Sequence, residues 1–328
     1  MKYSSFLIFL LFFICNVNGQ EISIENTDVN HVKIIIPTQW INNIFISDYN
    51  NDTNNLANEF VDVISPYKLI DEEFMRSDIF RNTEQMPWYV NPIIVNIDEE
   101  PEPEIVALFG LPMEIYQVLL VFKKFENDWY LLYYEPFYMF YSPPELYIAN
   151  NYSQNKTFFI RQLHVRGSGI FQDAYHFYKL IDGKVYPCLT LLNESRIIGW
   201  GLNLNQDINT DFKFYGSGSD ELWVTYNYHF FSGPVYEEDV SWEGHPDISF
   251  ARGKKSTKYT WDNNEKIYRP YYYNHSQDDL TEEKIMCFWD FGNDELFIKA
   301  FAYEINKTLE NGTEEEKEIL RFYIEGPF

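Results

Sequence analysis

Between Asn96 and Val106 the chain reads Asn-Ile-Asp-Glu-Glu-Pro-Glu-Pro-Glu-Ile-Val, directly after the apolar Ile93-Ile-Val95. Asn96, Asp98, Glu100 and Glu104 occupy positions 1, 3, 5 and 9 of that run. Alternate side chains of a tight loop point inward, so oxygen donors at this spacing can converge on a hard cation. Calcium is the cation that carboxylate and amide oxygens fit. These four residues are the candidate metal ligands, and Ca2+ the candidate cofactor; the competing reading is a solvated acidic turn. Asp207-Ile-Asn209-Thr-Asp211 also alternates oxygens, but it lacks the glycine and distal glutamate of an EF-hand and reads as a polar loop.

Other reactive residue types are scattered. The six His, at 31, 164, 176, 229, 245 and 275, contain no short ligand pair, and the nearest two, His164 and His176, are twelve apart. Arg166-Gly-Ser168-Gly and Tyr215-Gly-Ser217-Gly are turn-like and build no nucleophile elbow. No glycine cluster cradles a phosphate. Glycosidase chemistry needs two carboxylates about 5 to 10 Å apart, and among 50 acids no pair stands out, so no catalytic residue is assigned. The eight Trp and 26 Tyr suit sugar stacking or, in alternating strands, core packing.

The elements that would carry these residues are mostly strands. Ile105–Phe109, Tyr116–Phe122, Trp129–Tyr134, Thr157–Ile160, Leu222–Tyr228 and Leu296–Tyr303 are short, rich in β-branched and aromatic residues, and bounded by Gly, Pro, Asn or Asp. Helical periodicity is confined to Asn55–Phe80, where Pro66 breaks it. Four strand entries begin with an acid: Glu104, Glu145, Glu221 and Glu295, separated by 41, 76 and 74 residues. Hairpin turns follow at Asn127-Asp128, Asp182-Gly183, Asn263-Asn264 and Asn311-Gly312, the last leading to a final strand around Phe322. The expected fold is all-β, a degenerate β-propeller-like repeat of antiparallel sheets, with a β-sandwich or barrel as the alternative. One domain spans 20–328, with an irregular lead-in to about residue 85 and repeats from about residue 90.

The Asn96–Val106 run resembles the Asp-x-Asp-x-Asp-Gly-x-x-Asp-Ile loop of FG-GAP/VCBS-type repeats, which build calcium-binding blades of integrin-like propellers. The resemblance implies a propeller blade, with Asn96, Asp98, Glu100 and Glu104 as calcium ligands. Pro101 stands where that family has its turn glycine. The other three units keep the glutamate entry but not the upstream acids: Phe137, Lys213 and Cys287 lie eight residues before their glutamates.

Charge and the N-terminal segment bound the function. A net charge of −25 and a pI near 4.5 exclude nucleic-acid binding through a basic surface. Residues 1–19 carry Lys2, an apolar run from Phe6 to Cys15 and a small residue at Gly19, the pattern of a signal peptide. That run is too short to span a bilayer, and no other stretch predicts a membrane span. The protein is therefore expected to be exported, periplasmic or extracellular. Of its remaining cysteines, Cys188 and Cys287 form either one disulfide or two separate thiols. Seven Asn-x-Ser/Thr triplets, at Asn51, Asn151, Asn155, Asn193, Asn274, Asn306 and Asn311, would mark glycosylated surface loops in a eukaryotic secretory protein and carry no meaning behind a bacterial leader, which residues 1–19 resemble. The expected function is a non-enzymatic binding module of the cell envelope, stiffened by calcium, with a protein or glycan partner. The alternative is a secreted carbohydrate-active enzyme or carbohydrate-binding protein.

Overall fold

The computed structural model describes residues 31–46, 52–67, 89–98, 100–110, 117–137, 145–149, 157–167, 170–197, 204–216, 220–232, 248–270, 298 and 301–325. The leader, Cys287, Glu295 and the triplets at Asn51, Asn151, Asn155 and Asn274 lie outside the described residues. The described strands form two antiparallel sheets, neither of them closed.

The first sheet has strands β1 (His31–Ile36), β2 (Tyr89–Val95), β3 (Glu104–Gly110), β4 (Gln117–Phe125) and β5 (Asp128–Phe137), in the order β1-β5-β4-β3-β2. All seven residues of β3 are buried, because both faces of this sheet are covered. Ile105, Ala107 and Phe109 of β3, with Val118, Leu120 and Phe122 of β4, meet helices α1 (Thr38–Ile44) and α2 (Asp52–Ile64). Trp40 ties the two helices: its indole N–H donates to the Leu56 carbonyl at 2.8 Å, and its ring stacks on Phe60 at 5.0 Å. The α-helix stops at Ile64, and Pro66, lacking a backbone N–H, sits in a 3-10 turn, Ser65–Tyr67; residues 68–80 of the expected helical passage lie outside the described residues.

The second sheet is an eight-stranded meander: β6 (Glu145–Ile148), β7 (Phe158–Gly167), β8 (Ile170–Ile181), β9 (Lys184–Ile197), β10 (Leu204–Tyr215), β11 (Glu221–Ser232), β12 (Ser249–Asp262) and β13 (Ile267–Pro270). It rolls on itself. Phe159 of β7 meets Phe212 of β10 at 5.4 Å, and Thr157, just before β7, shares a hydrogen bond of 3.1 Å with Tyr268 of β13. The concave side holds an aromatic core closed by helices α3 (Ala302–Asn311) and α4 (Glu314–Glu325), through Phe301 against Phe230 and Tyr323 against Phe250. On the opposite side, Phe158, Ile160, Tyr178, Leu180 and Val185 pack on Val106, Leu108, Leu119 and Val121, joining the two sheets.

Glu104, Glu145 and Glu221 do open strands β3, β6 and β11. Hairpin turns occur at Asp182-Gly183, before Ile267 and, one residue earlier than the expected Asn127-Asp128, at Glu126-Asn127, and Asp182 and Gly183 have the positive φ of 50° and 74° expected of them. The C-terminal expectation is corrected: Asn311-Gly312 joins two helices, and the segment around Phe322 lies in α4, not in a strand. Phe301–Tyr303, expected as strand, likewise leads into α3. A capping box sets the start of α4, because Thr313 N–H donates to Glu316 Oε2 at 2.6 Å and Glu316 N–H to Thr313 Oγ1 at 3.2 Å. Asp207–Asp211, read as a loop, lies within β10.

Ile160 is fully buried where the sheets meet. Ile160→Ala is expected to cost about 2–5 kcal/mol in denaturant unfolding. Ile35→Ala, at a position 56% exposed on β1, should cost less than about 0.5 kcal/mol.

Candidate functional site

The loop between β2 and β3 brings three of the four sequence-predicted ligands together, around an ammonium. Lys123 of β4, with its side chain 2% exposed, places Nζ on Asp98 Oδ2, 3.0 Å from Glu100 Oε2 and 3.1 Å from Glu104 Oε1. The fourth, Asn96, donates its side-chain amide to the Glu100 carbonyl at 2.5 Å. The loop is pinned at two further points. Ile97 N–H donates to Glu104 Oε2 at 2.9 Å, and Glu100 N–H to Asp98 Oδ1 at 2.8 Å.

The energetics require this clustering. Burial by itself favours a neutral lysine, but hydrogen bonds to Asp98, Glu100 and Glu104 outweigh it and hold the Lys123 ammonium above the ordinary lysine range. Glu104 is completely buried, and desolvation raises its carboxyl above the usual range despite the Ile97 amide and Lys123. Among the described residues no three His, Cys, Asp or Glu side chains form a metal-holding group.

Asp98 and Glu100 also form one wall of a cleft of about 470 Å³. The opposite wall comes from the second sheet: the β8–β9 turn with Asp182 and Gly183, then Asp220 before β11, Trp261 near the end of β12 and Asn263 just after it. Backbone pairing holds this wall, since Trp261 N–H donates to the Asp220 carbonyl at 2.8 Å. Lys179 of β8 lies at its base, with Nζ 4.3 Å from the Trp261 ring centroid, 5.2 Å from that of Tyr268 and 4.0 Å from Asp220 Oδ1. Burial lowers its pKa from the usual lysine value. The cleft thus offers carboxylate and amide acceptors beside an indole.

Two groups escaped the sequence reading. His164 and His176, twelve apart in sequence, meet across β7 and β8 with their Nε2 atoms 2.9 Å apart, and Thr190 Oγ1 lies 3.2 Å from His176 Nδ1. The bulge between Leu163 and Val165 leaves His164 outside the strand register, which no residue spacing announces. Burial pushes His164 down to about 4 and His176 down to about 3, the latter helped by His164. The second group is the lysines. Lys123 stands beyond an apolar strand run, and only the β3–β4 register brings it beside Glu104. Cys188 is a free buried thiol donating to the Phe177 carbonyl, raised by burial to about 12.

Lys123→Met strands the carboxylates of the β2–β3 loop without their cation and should destabilise by about 3–5 kcal/mol. Millimolar Ca2+ should recover part of that loss in the variant's melting temperature, whereas in the wild type, where calcium must first evict Lys123, chelator should leave the midpoint unchanged.

The histidines bind protons more readily unfolded than folded, so stability must fall as pH drops below about 6.5 toward their folded values. The loss by pH 4 should be on the order of a few kcal/mol. The His164→Gln/His176→Gln variant should show a shallower decline over that window in pH-dependent unfolding.

No family model, curated protein or solved structure matches the chain.

Proposed function

We propose that the protein is an exported, non-enzymatic binding module whose seam cleft holds a glycan. The observation that carries this reading is the cleft itself, with Asp98, Glu100, Asp182, Asp220 and Asn263 arranged about Trp261. Its volume falls within the usual span of small-ligand sites, about 300–1,000 Å³. Carboxylates accept hydrogen bonds from hydroxyls strongly because the acceptor is charged, and Trp261, with Lys179 over one face of its ring, lines the cleft with apolar surface for a sugar ring. A cationic ligand fits less well: Lys123 and Lys179 already supply the positive charge next to these acids.

The same lysines argue for binding over hydrolysis. Glycoside cleavage needs one carboxylic acid able to give a proton and one carboxylate placed across the sugar. The acid in this region whose pKa is raised, Glu104, is sealed behind Asp98 and Lys123 with no exposure. Calcium stiffening would require the ion to replace Lys123 among Asp98, Glu100 and Glu104, and belongs to this proposal only in that form. The propeller-like repeat rests on the strand entries at Glu104, Glu145 and Glu221, although their sheets have five and eight strands, against the four of a propeller blade. Export rests on the leader-like residues 1–19, and no helix among the described residues is long and apolar enough to cross a membrane.

The test is a panel of neutral oligosaccharides titrated calorimetrically into the mature chain. At least one should bind, and Trp261→Ala and the Asp182→Asn/Asp220→Asn variant should each weaken it by about tenfold or more, about 1.4 kcal/mol. Binding that ignores both variants, or an absence of binding across the panel, sinks the reading.

A further inference from the structure

The outward face of β10–β12 is a regular grid. Register places Asp207, His229 and Arg252 on one rung, then Asn209, Asn227 and Lys254, then Asp211, Thr225 and Ser256, then Lys213, Trp223 and Lys258. Their neighbours in sequence, Ile208, Leu222, Val224 and Tyr226, point the other way into the aromatic core, as the two-residue period of a strand demands. Trp223 is 44% exposed at the middle of its rung, with a lysine on each side. Tyr215, also 44% exposed, stands diagonally beside it with Lys213 Nζ 5.1 Å from its ring centroid.

We propose that this face is a second binding surface, for an anionic polysaccharide carrying carboxylate or sulfate groups. Charge complementarity is the first argument. The chain has twice as many acids as bases, 50 against 25, yet on this face Lys213, Arg252, Lys254 and Lys258 outnumber Asp207, Asp211 and Glu221. Lys258 is paired with Glu221, whereas Lys213, Arg252 and Lys254 make no ion pair among the described residues. The acids of the rest of the molecule are screened beyond a Debye length of about 8 Å at physiological salt, so the local sign decides contact.

The aromatic residues and amides narrow the occupant. An exposed indole between two ammonium groups suits a sugar ring stacked on its face with acidic substituents reaching either way. The Asn209–Asn227 rung adds amide oxygens that accept from hydroxyls, its N–H groups donating to Asp207, Asp211 and the Asn209 carbonyl. An acidic peptide lacks an equivalent mode here, because peptides that add to sheets need an open edge with unpaired backbone groups. This face belongs to β11, which is paired on both sides.

Affinity electrophoresis with three probes tests the proposal: polygalacturonate, a neutral cellulose derivative and poly-glutamate. Polygalacturonate should retard the wild type, less so as salt rises, whereas poly-glutamate should not, and any retardation by the neutral polymer should vanish in Trp261→Ala. Trp223→Ala and Lys213→Ala/Lys258→Ala should each weaken retardation by polygalacturonate by about tenfold or more, while Trp261→Ala in the cleft leaves it unchanged; that last arm separates this surface from the cleft. Circular dichroism verifies folding, and if Trp223→Ala unfolds, the double lysine variant supplies the decisive readout. No retardation by polygalacturonate, equal retardation by poly-glutamate, or, in the Trp261→Ala background, retardation by the neutral polymer equal to that by polygalacturonate would each overturn the proposal.

Discussion

A buried ammonium sets the terms for the region where the two sheets meet. Lys123 is almost wholly removed from water at the end of a strand whose other residues are mostly apolar. An ion taken that far from solvent is tolerated only if its charge is met by well-placed partners. Asp98, Glu100 and Glu104 meet it, and in doing so they hold the β2–β3 loop against the sheet. Without that convergence, the acids of this loop would repel one another and extend into solvent. The wall that Asp98 and Glu100 give to the cleft is therefore a consequence of satisfying one lysine, and Lys179 repeats the pattern across the cleft with Trp261, Tyr268 and Asp220.

Around that point the architecture follows from which faces need cover. The five-stranded sheet is apolar on both sides, and α1 and α2 take one side while the second sheet takes the other. The eight-stranded meander has the larger problem: its aromatic residues cannot all be buried against a flat partner. Rolling brings Phe159, Phe177, Phe212 and Phe214 into contact with one another, mostly edge-on, the arrangement that aromatic quadrupoles favour. The open side is filled by α3 and α4, whose Phe301, Ile305, Leu320 and Tyr323 are all buried.

Local chemistry was readable in the sequence; register was not. The strand runs, the acid at the start of β3, β6 and β11, and the Asp182-Gly183 turn are all visible as short-range patterns, because turn conformation and alternation depend on a few neighbouring residues. The spacing of Asn96, Asp98, Glu100 and Glu104 pointed to calcium; that Asp98, Glu100 and Glu104 could share one centre was legible from it. That a lysine occupies the central position was not, since Lys123 reaches Glu104 only through the pairing of β3 with β4. His164 and His176 needed both a hairpin and a bulge to meet. At the C-terminus the signal was present but outcompeted: Asn311-Gly312 is a strong hairpin dipeptide, while the Thr313–Glu316 capping box directly after it marks a helix. Two breakers in succession favour different structures, and the apolar spacing of Leu320 and Tyr323 decides for the helix.

The acidity of the chain takes on structure once the strands are placed. On β11 alternate residues serve two unrelated environments, with Leu222, Val224 and Tyr226 in the core and Trp223, Thr225 and Asn227 outside. The inward set fixes the roll of the sheet, and the roll in turn fixes the spacing at which the outward set is displayed. Acids line the cleft, where Lys123 and Lys179 restrain them, whereas on the outward face of β10–β12 Lys213, Arg252, Lys254 and Lys258 stand among Asp207, Asp211 and Glu221. A one-residue slip in β11 would exchange the two sets; the aromatic core is therefore what keeps Trp223 between its lysines.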